Sequence, residues 1–243
     1  MKITYIHHSG FSVEFDKAVF LFDYFEGELP SFPKEKELVV FASHKHHDHF
    51  DRSVFRLTET HPSVSFILSK DIRMSENYRK RMGISDRAAE CITYVGKNQS
   101  MELSVGEEPL KIEAPTSTDE GGAFVLTYDG KGLYHAGDLN WWTWTGETGD
   151  EYEDMTRRFQ AEMEKLRGRY FDVAFVPLDP RQEERYFWGF DYFMRVSDTG
   201  RAFPMHFWGD FSVIDRLLAD PVSEPYRGRV QRILRRGESW DIK

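Results

Sequence analysis

Four of the nine histidines in this 243-residue chain fall within six residues, in Ser43-His44-Lys45-His46-His47-Asp48-His49-Phe50. They follow Leu38-Val39-Val40-Phe41-Ala42, a continuously apolar run that reads as a strand buried on both faces. Side chains two residues apart on extended backbone point the same way, so His44 and His46 can converge on one point. Asp48 and His49 lie in the turn that follows and can face a second point nearby. Imidazole and carboxylate together suit zinc, iron or manganese. A solvated polar loop would explain one histidine, but it explains poorly such a density straight after a buried strand. His47 falls between the donor positions and is not expected to be a ligand.

Positioning such a cluster takes rigid elements, and the first half of the chain supplies short β-type segments: Ile3–Ile6, Phe11–Phe15, Ala18–Phe22, Leu38–Ala42 and Val64–Leu68. A helix is expected to start near Arg52. The pattern resumes at Ile92–Val95, Leu110–Glu113, Phe124–Tyr128 and Leu133–Ala136, the last two joined by the hairpin signal Asp129-Gly130-Lys131-Gly132. From Glu151 to Arg167 the charged sequence carries Met155, Phe159, Met163 and Leu166 at helical spacing. Val173–Val176 and Ala202–Met205 read as two more buried strands, the latter closed by His206. Strands first, then strands mixed with helices, predict an α/β fold of two sheets with helices outside.

Composition narrows the function. Hydrophobic residues make up 40% of the chain and aromatics 15%, ample for a continuous core. The net charge of -9 repels phosphate backbones and argues against a general nucleic-acid binder. Cys91 is the one cysteine, so an internal disulfide is impossible and a reducing compartment suits the chain. The N-terminus reads as a strand rather than a signal peptide, and no apolar run reaches membrane-spanning length. A cytoplasmic protein acting on a small molecule, without nucleic-acid or membrane partners, is expected.

The spacing His44-x-His46-x-Asp48-His49 resembles the HxHxDH signature of the metallo-β-lactamase superfamily, and later landmarks fall in order. Tyr134-His135-Ala136-Gly137-Asp138 resembles the strand-end Gly-Asp whose carboxylate bridges two metals in that family. Phe203-Pro204-Met205-His206 resembles its final strand-end histidine, and Asp23 its early bracing aspartate. His8-Ser9-Gly10-Phe11 resembles the opening of the branch that contains ascorbate-phosphate lactonases and similar small hydrolases. The likeness runs from about Lys2 to Phe207. It implies one domain over residues 1–243, a four-layer αββα sandwich, and one or two divalent cations, Zn2+ with Mn2+ or Fe2+ as alternatives. One departure stands out: the family's middle histidine is absent from Pro115–Phe124, and none occurs between His61 and His135. Asp119 or a water would take its place, Asp119 being the expected substitute, giving one position of His44, His46, Asp119 and Asp138 and another of Asp48, His49, Asp138 and His206. His135 is expected to be structural.

The chemistry such a site implies is hydrolysis. A divalent cation lowers the pKa of coordinated water from about 15.7 towards ~7 and polarises a carbonyl or phosphoryl oxygen. Asp48 is the expected catalytic residue, orienting the nucleophile. An ester, lactone or phosphodiester would be cleaved without a serine or cysteine nucleophile, and Cys91 is expected to be buried. Trp141-Trp142-Thr143-Trp144 and Tyr186–Phe193 are candidate substrate walls, with core packing the competing account, and Arg181 is a candidate anion contact. A nuclease would need more basic surface. A diiron redox enzyme of this fold would carry a glutamate at position 46. A non-catalytic metal- or ligand-binding module of the same fold is the alternative from a different class.

Overall fold

The computed structural model describes residues 1–242. In chain order its strands are β1 (Lys2–His7), β2 (Gly10–Glu14), β3 (Ala18–Phe22), β4 (Glu37–Ala42), β5 (Val64–Ser69), β6 (Ile92–Val95), β7 (Gln99–Val105), β8 (Glu108–Ala114), β9 (Phe124–Tyr128), β10 (Lys131–His135), β11 (Tyr170–Pro177), β12 (Asp198–Met205) and β13 (Ser239–Asp241). One sheet has the order β13-β1-β2-β3-β4-β5-β6, and the other β12-β11-β10-β9-β8-β7. Strands β3 to β6 are parallel neighbours, as are β10 to β12, whereas β7 to β10 form an antiparallel meander. The helices are α1 (Leu57–Thr60), α2 (Glu76–Arg81), α3 (Asp86–Glu90), α4 (Gly149–Glu164), α5 (Trp188–Val196) and α6 (Ser212–Ala219).

Burial follows the pleat. Alternate residues of β3 and β4 face opposite ways: Phe20, Phe22, Val39 and Phe41 enter the core shared by both sheets, while Val19, Leu21, Leu38 and Val40 join a separate apolar cluster. That second cluster includes Val54, Phe55 and Ile72 from two 3-10 turns and Ala88 of α3, with Leu57 of α1 and Tyr78 of α2 packed against it, so these short helical turns cover the outer face of the first sheet. Between the sheets, Phe11 meets Phe175 at 4.5 Å, Phe41 meets Phe124 at 5.3 Å, and Phe22 stacks on His135 at 4.9 Å. On the far side, Tyr134 stacks on Phe193 of α5. The α4 residues Phe159 and Met163 are buried there too. The result is the four-layer αββα sandwich.

Local signals explain several boundaries. Asp129 and Gly130 both take positive φ (50° and 68°) in the two-residue turn between β9 and β10, the backbone a tight hairpin requires. Thr148 and Glu151 form a reciprocal capping box at the start of α4. That helix ends at Glu164, before Arg167, although Leu166 in the following turn is still buried. Near Arg52 the chain first forms a 3-10 turn, Arg52–Arg56, capped by Asp51, and only then the single turn α1. Strands β7 and β13 have no counterpart in the sequence reading. Both are edge strands with weak apolar signals: Met101 and Leu103 of β7 and Trp240 of β13 pack on the core only in part, and Val105 alone is fully buried. Cys91 also departs from expectation, being only half-buried at the end of α3. No helix among the described residues is long and apolar enough to cross a membrane.

Gly121 ties the β8–β9 connection to the end of β4. Its φ is +64°, and a Cβ there would lie 2.0 Å from the Ser43 carbonyl oxygen. The neighbouring Gly122 N–H donates to that same oxygen at 3.1 Å. Gly130 has a similar φ of +68° but open space around it. Gly130→Ala should therefore cost only the left-handed backbone strain, about 1–2 kcal/mol. Gly121→Ala should cost at least ~2 kcal/mol more, because it adds a collision with backbone. Urea unfolding of the two variants checks this, and equal losses would contradict the crowding argument.

Candidate metal centre

Parallel strands deliver their carboxyl ends to one edge, and loops leaving that edge hold the polar residues. His8 follows β1, Asp23 follows β3, and His44 to His49 leave β4. On the second sheet Asp138 follows β10, Asp179 follows β11, and His206 follows β12 directly. Asp119 comes from the β8–β9 connection that Gly121 secures. Backbone strain concentrates here: His8, Asp23 and His206 have φ of 56°, 42° and 64°. Gly137 (φ +52°) packs so closely that a Cβ would meet the Ser43 side chain at 2.6 Å.

The donors fall into two adjoining groups. His8, Asp48, His49 and His206 form one, and His44, His46, Asp119 and Asp138 the other; in each the donor atoms lie within 4.8 Å of one another. Asp138 faces both: Oδ2 is 3.4 Å from His44 Nε2, while Oδ1 is 3.1 Å from His49 Nε2 and 3.3 Å from His206 Nε2. Outer partners orient three of the imidazoles through Nδ1. His44 meets Ser43 Oγ at 3.0 Å, His49 meets Asp23 Oδ2 at 2.7 Å, and His206 meets Asp179 Oδ2 at 3.0 Å. Those contacts leave Nε2 free to point inward. Asp23 also accepts the backbone N–H of Ser43 at 2.7 Å and its hydroxyl at 2.6 Å, so one carboxylate braces the start of the motif and its last histidine.

The residues present fit a divalent cation. The Nε2 atoms of His8, His44, His49 and His206, together with Asp138 Oδ1, are buried without any hydrogen-bond partner. Inward-facing lone pairs of this kind are costly unless something shared satisfies them. Charge is correspondingly perturbed. Burial pushes the Asp138 carboxyl up, but the charges of His49 and His206 more than offset it and hold the group well below the usual range. Burial pushes the His49 imidazole down, yet Asp138 and Asp23 raise it well above its ordinary value. Burial similarly opposes ionisation of Asp48, but His8 and His49 keep its carboxyl depressed. His8 itself is pushed down to about 3, by burial and by the neighbouring His206 and His49, despite Asp48 beside it.

A cavity of about 370 Å3 opens onto these donors, with Asp48, Asp119, Asp138 and His206 at its base and Trp142, Trp144 and Arg181 on its walls. Trp142 donates from Nε1 to the Asp138 carbonyl at 2.9 Å and lies parallel to Trp144. Trp141 turns the other way, onto Phe159 and Tyr192. Arg181 forks onto Asp179 and lies over the Trp208 ring at 4.8 Å. A larger cleft of about 670 Å3, beside Lys70, Arg73 and Arg79, holds none of these donors.

Each residue named from the sequence has a definite place. His44, His46, Asp48, His49, Asp119, Asp138 and His206 all converge here. His47 points to solvent with its side chain 91% exposed. His135 lies behind the site, its Nε2 bonded to the Ser9 carbonyl. For Tyr186–Phe193 the core-packing account holds: it runs into α5, buries Tyr186, Phe190 and Phe193, and is absent from the cavity wall. Three neighbours were not recognised as part of the site from sequence: His8, Asp179 and Trp208. Asp179 had a readable signal, an acidic residue just after a buried strand, as Asp138 does.

A carboxylate that faces both groups should matter more than one that faces a single group. Asp138→Ala should lose most bound metal, whereas Asp119→Ala should retain at least one ion per chain. Asp179→Ala should weaken metal affinity roughly 10–100-fold by releasing the His206 ring. Metal content after equilibrium dialysis checks all three. Full retention by Asp138→Ala would remove its bridging role.

Comparisons with known proteins agree with this geometry. A family model described as the beta-lactamase superfamily domain matches residues 2–143, more than half of the chain. A relative from Alkaliphilus metalliredigens, named a metal-dependent hydrolase, is 28% identical over 228 residues, which is 85% of each chain. A solved structure of a metal-dependent hydrolase from Parabacteroides distasonis shares the fold with a TM-score of 0.59 at 18% identity, covering 96% of this chain and 93% of that one. A diiron β-hydroxylase from Streptomyces venezuelae also shares the fold, with a TM-score of 0.59 at 13% identity over 96% of this chain and 52% of that one. The match across β1 to Asp138, the sandwich of two sheets and the strand-end His/Asp cluster together make this chain a member of the metallo-β-lactamase superfamily.

Proposed function

We propose that this chain is a metal-dependent hydrolase acting on a small anionic ester, lactone or phosphodiester. The observation that carries the reading is the pair of donor groups, joined through Asp138, at the base of an open cavity. The relatives' names point the same way. His44, His46, Asp119 and Asp138 would hold one ion, and Asp48, His49, Asp138 and His206 a second. Imidazole-rich sets with carboxylates suit Zn2+, and they accept Mn2+ or Fe2+. When bound, the cation supplies Lewis acidity for activating water and stabilising charge on the substrate oxygen.

The chain's own residues do the rest. Asp48, ionised at neutral pH, accepts a hydrogen bond from the attacking water and fixes its direction. Asp23 and Asp179 hold the His49 and His206 rings in the tautomer that presents Nε2. Arg181, only half spent on Asp179, offers the remaining guanidinium N–H groups to a substrate anion. Trp142 and Trp144, stacked in parallel, line the cavity and offer apolar surface to a substrate. The cavity suits a compact substrate, and the net charge of -9 disfavours polyanions. The lone Cys91 stands apart from the cavity, which fits an enzyme of a reducing compartment that needs no thiol nucleophile.

Asp48→Asn should lower kcat by roughly 100-fold or more while Cys91→Ser leaves it unchanged. Chelation should abolish turnover, and added zinc or manganese should restore it. A screen of ester, lactone and phosphodiester substrates on metal-loaded protein checks this. Turnover that survives complete metal removal would end the proposal.

A further inference from the structure

We propose that His8 supplies a third imidazole to the second donor group, so that this position takes the first ion and the position containing Asp119 takes the second, more weakly. The inference rests on the metal-dependent reading above and goes beyond the ligand set that the sequence signature implies.

Buried histidines elsewhere in this chain show what a structural role looks like. His135 bonds the Ser9 carbonyl through Nε2 at 2.9 Å and accepts the Gly137 N–H through Nδ1 at 3.2 Å. His61 meets two backbone carbonyls, of Ser63 at 2.9 Å and Pro33 at 3.1 Å. His135 is satisfied at both nitrogens, and each His61 nitrogen lies within hydrogen-bond distance of a carbonyl oxygen. His8 is equally buried, 1% exposed, yet neither of its ring nitrogens has a hydrogen-bond partner. Its Nε2 lies 3.4 Å from Asp48 Oδ2, within the 4.8 Å span that also includes His49 and His206 donors. A buried orphan nitrogen is expensive, and here it faces three other donors. A shared cation satisfies all four at once.

The ring is oriented by means other than an acceptor at Nδ1. The His8 N–H donates to the Tyr5 hydroxyl at 3.0 Å, and its carbonyl accepts the His206 N–H at 3.3 Å. The imidazole packs 4.1 Å from the His206 ring and 4.4 Å from that of Trp208. The strand-end backbones that carry His8 and His206 are thereby locked together, so two donors of one group are set by a single contact between the sheets.

The two positions differ in the exposure of their donors. His8, His49 and His206 are all 2% exposed or less. In the other group, the side chains of His46 and Asp119 are 40% and 43% exposed and meet each other only at 3.4 Å. Exposed donors must give up water and side-chain freedom to bind, which weakens that position.

The test is X-ray absorption on metal-free protein loaded with one equivalent of zinc per chain, paired with zinc titration against a competing chelator. The unaltered protein should show the three imidazoles of His8, His49 and His206 at one equivalent. His8→Ala should lower the first-ion affinity roughly 10–100-fold, the scale expected of a donor at a preformed site. Asp119→Ala should leave the first-ion affinity unchanged and weaken the second. The imidazole count on the unaltered protein decides the matter even if His8→Ala folds poorly. Two imidazoles at one equivalent, or full first-ion affinity in a folded His8→Ala, would overturn the assignment of His8 while leaving a metal site in place. Failure of the unaltered protein to take any zinc would overturn the metal-dependent reading itself.

Discussion

Burying the Asp138 carboxylate, only 6% exposed, is tolerable only with polar partners around it, and the Nε2 atoms of His44, His49 and His206 lie 3.1–3.4 Å from its oxygens. These partners come from both sheets: His44 and His49 leave β4, while His206 and Asp138 itself leave the second sheet. The constraint therefore reaches through the whole sandwich. If the sheets slid past one another by one residue pair, about 7 Å along the strands, the carboxylate would lose its partners and become a buried, uncompensated charge. Packing between the sheets prevents that slide, with Phe22 against His135 and Phe11 against Phe175 directly beneath the polar edge.

Around this contact the charges alternate outward. Asp23 backs His49 and Asp179 backs His206, so each inner imidazole sits between two carboxylates. Arg181 then closes the Asp179 end at the cavity rim. Such a layered arrangement fixes tautomers and ring directions before any cation arrives, which lowers the ordering cost of binding. The backbone contributes as well. Ser43 has Gly121 and Gly137 packed against it, and its own N–H and hydroxyl are held by Asp23. A bulkier residue at either glycine would push the Asp119 loop or the Asp138 loop away from the motif.

How much of this could be read in advance depended on whether a signal was local. The cluster from His44 to His49 was legible because dense donors directly follow an apolar run, a pattern that chance polar loops rarely make. The buried strands β3, β4, β5 and β11 were legible for the same reason. Asp138 and His206 are single polar residues after strands, and only their match to a family pattern distinguished them from ordinary turn residues. The role of His8 remained hidden because it depends on which strand ends meet in space, whereas Asp179 carried the same strand-end signal as Asp138 without a family pattern to single it out. Nothing near His8 in the chain announces that the carbonyl of His8 will receive the N–H of His206. The aromatic run from Tyr186 to Phe193 was ambiguous in kind. Helix packing and a substrate wall use the same residues, and only the placement of α5 on the second sheet decides between them.

The absent middle histidine links this geometry to chemistry. With Asp119 beside His46, the outer donor group carries two carboxylates where the family pattern would have one. A second anionic donor neutralises more of a dication's charge than a neutral imidazole does, and it shifts the preference from softer towards harder cations. The inner group also has two carboxylates within reach, Asp48 and the shared Asp138, so it differs from the outer one mainly in its deeper burial. Arg181, paired with Asp179, lines the same cavity as Asp119. The two groups thus offer a cation unlike surroundings, one enclosed and one open to the cavity.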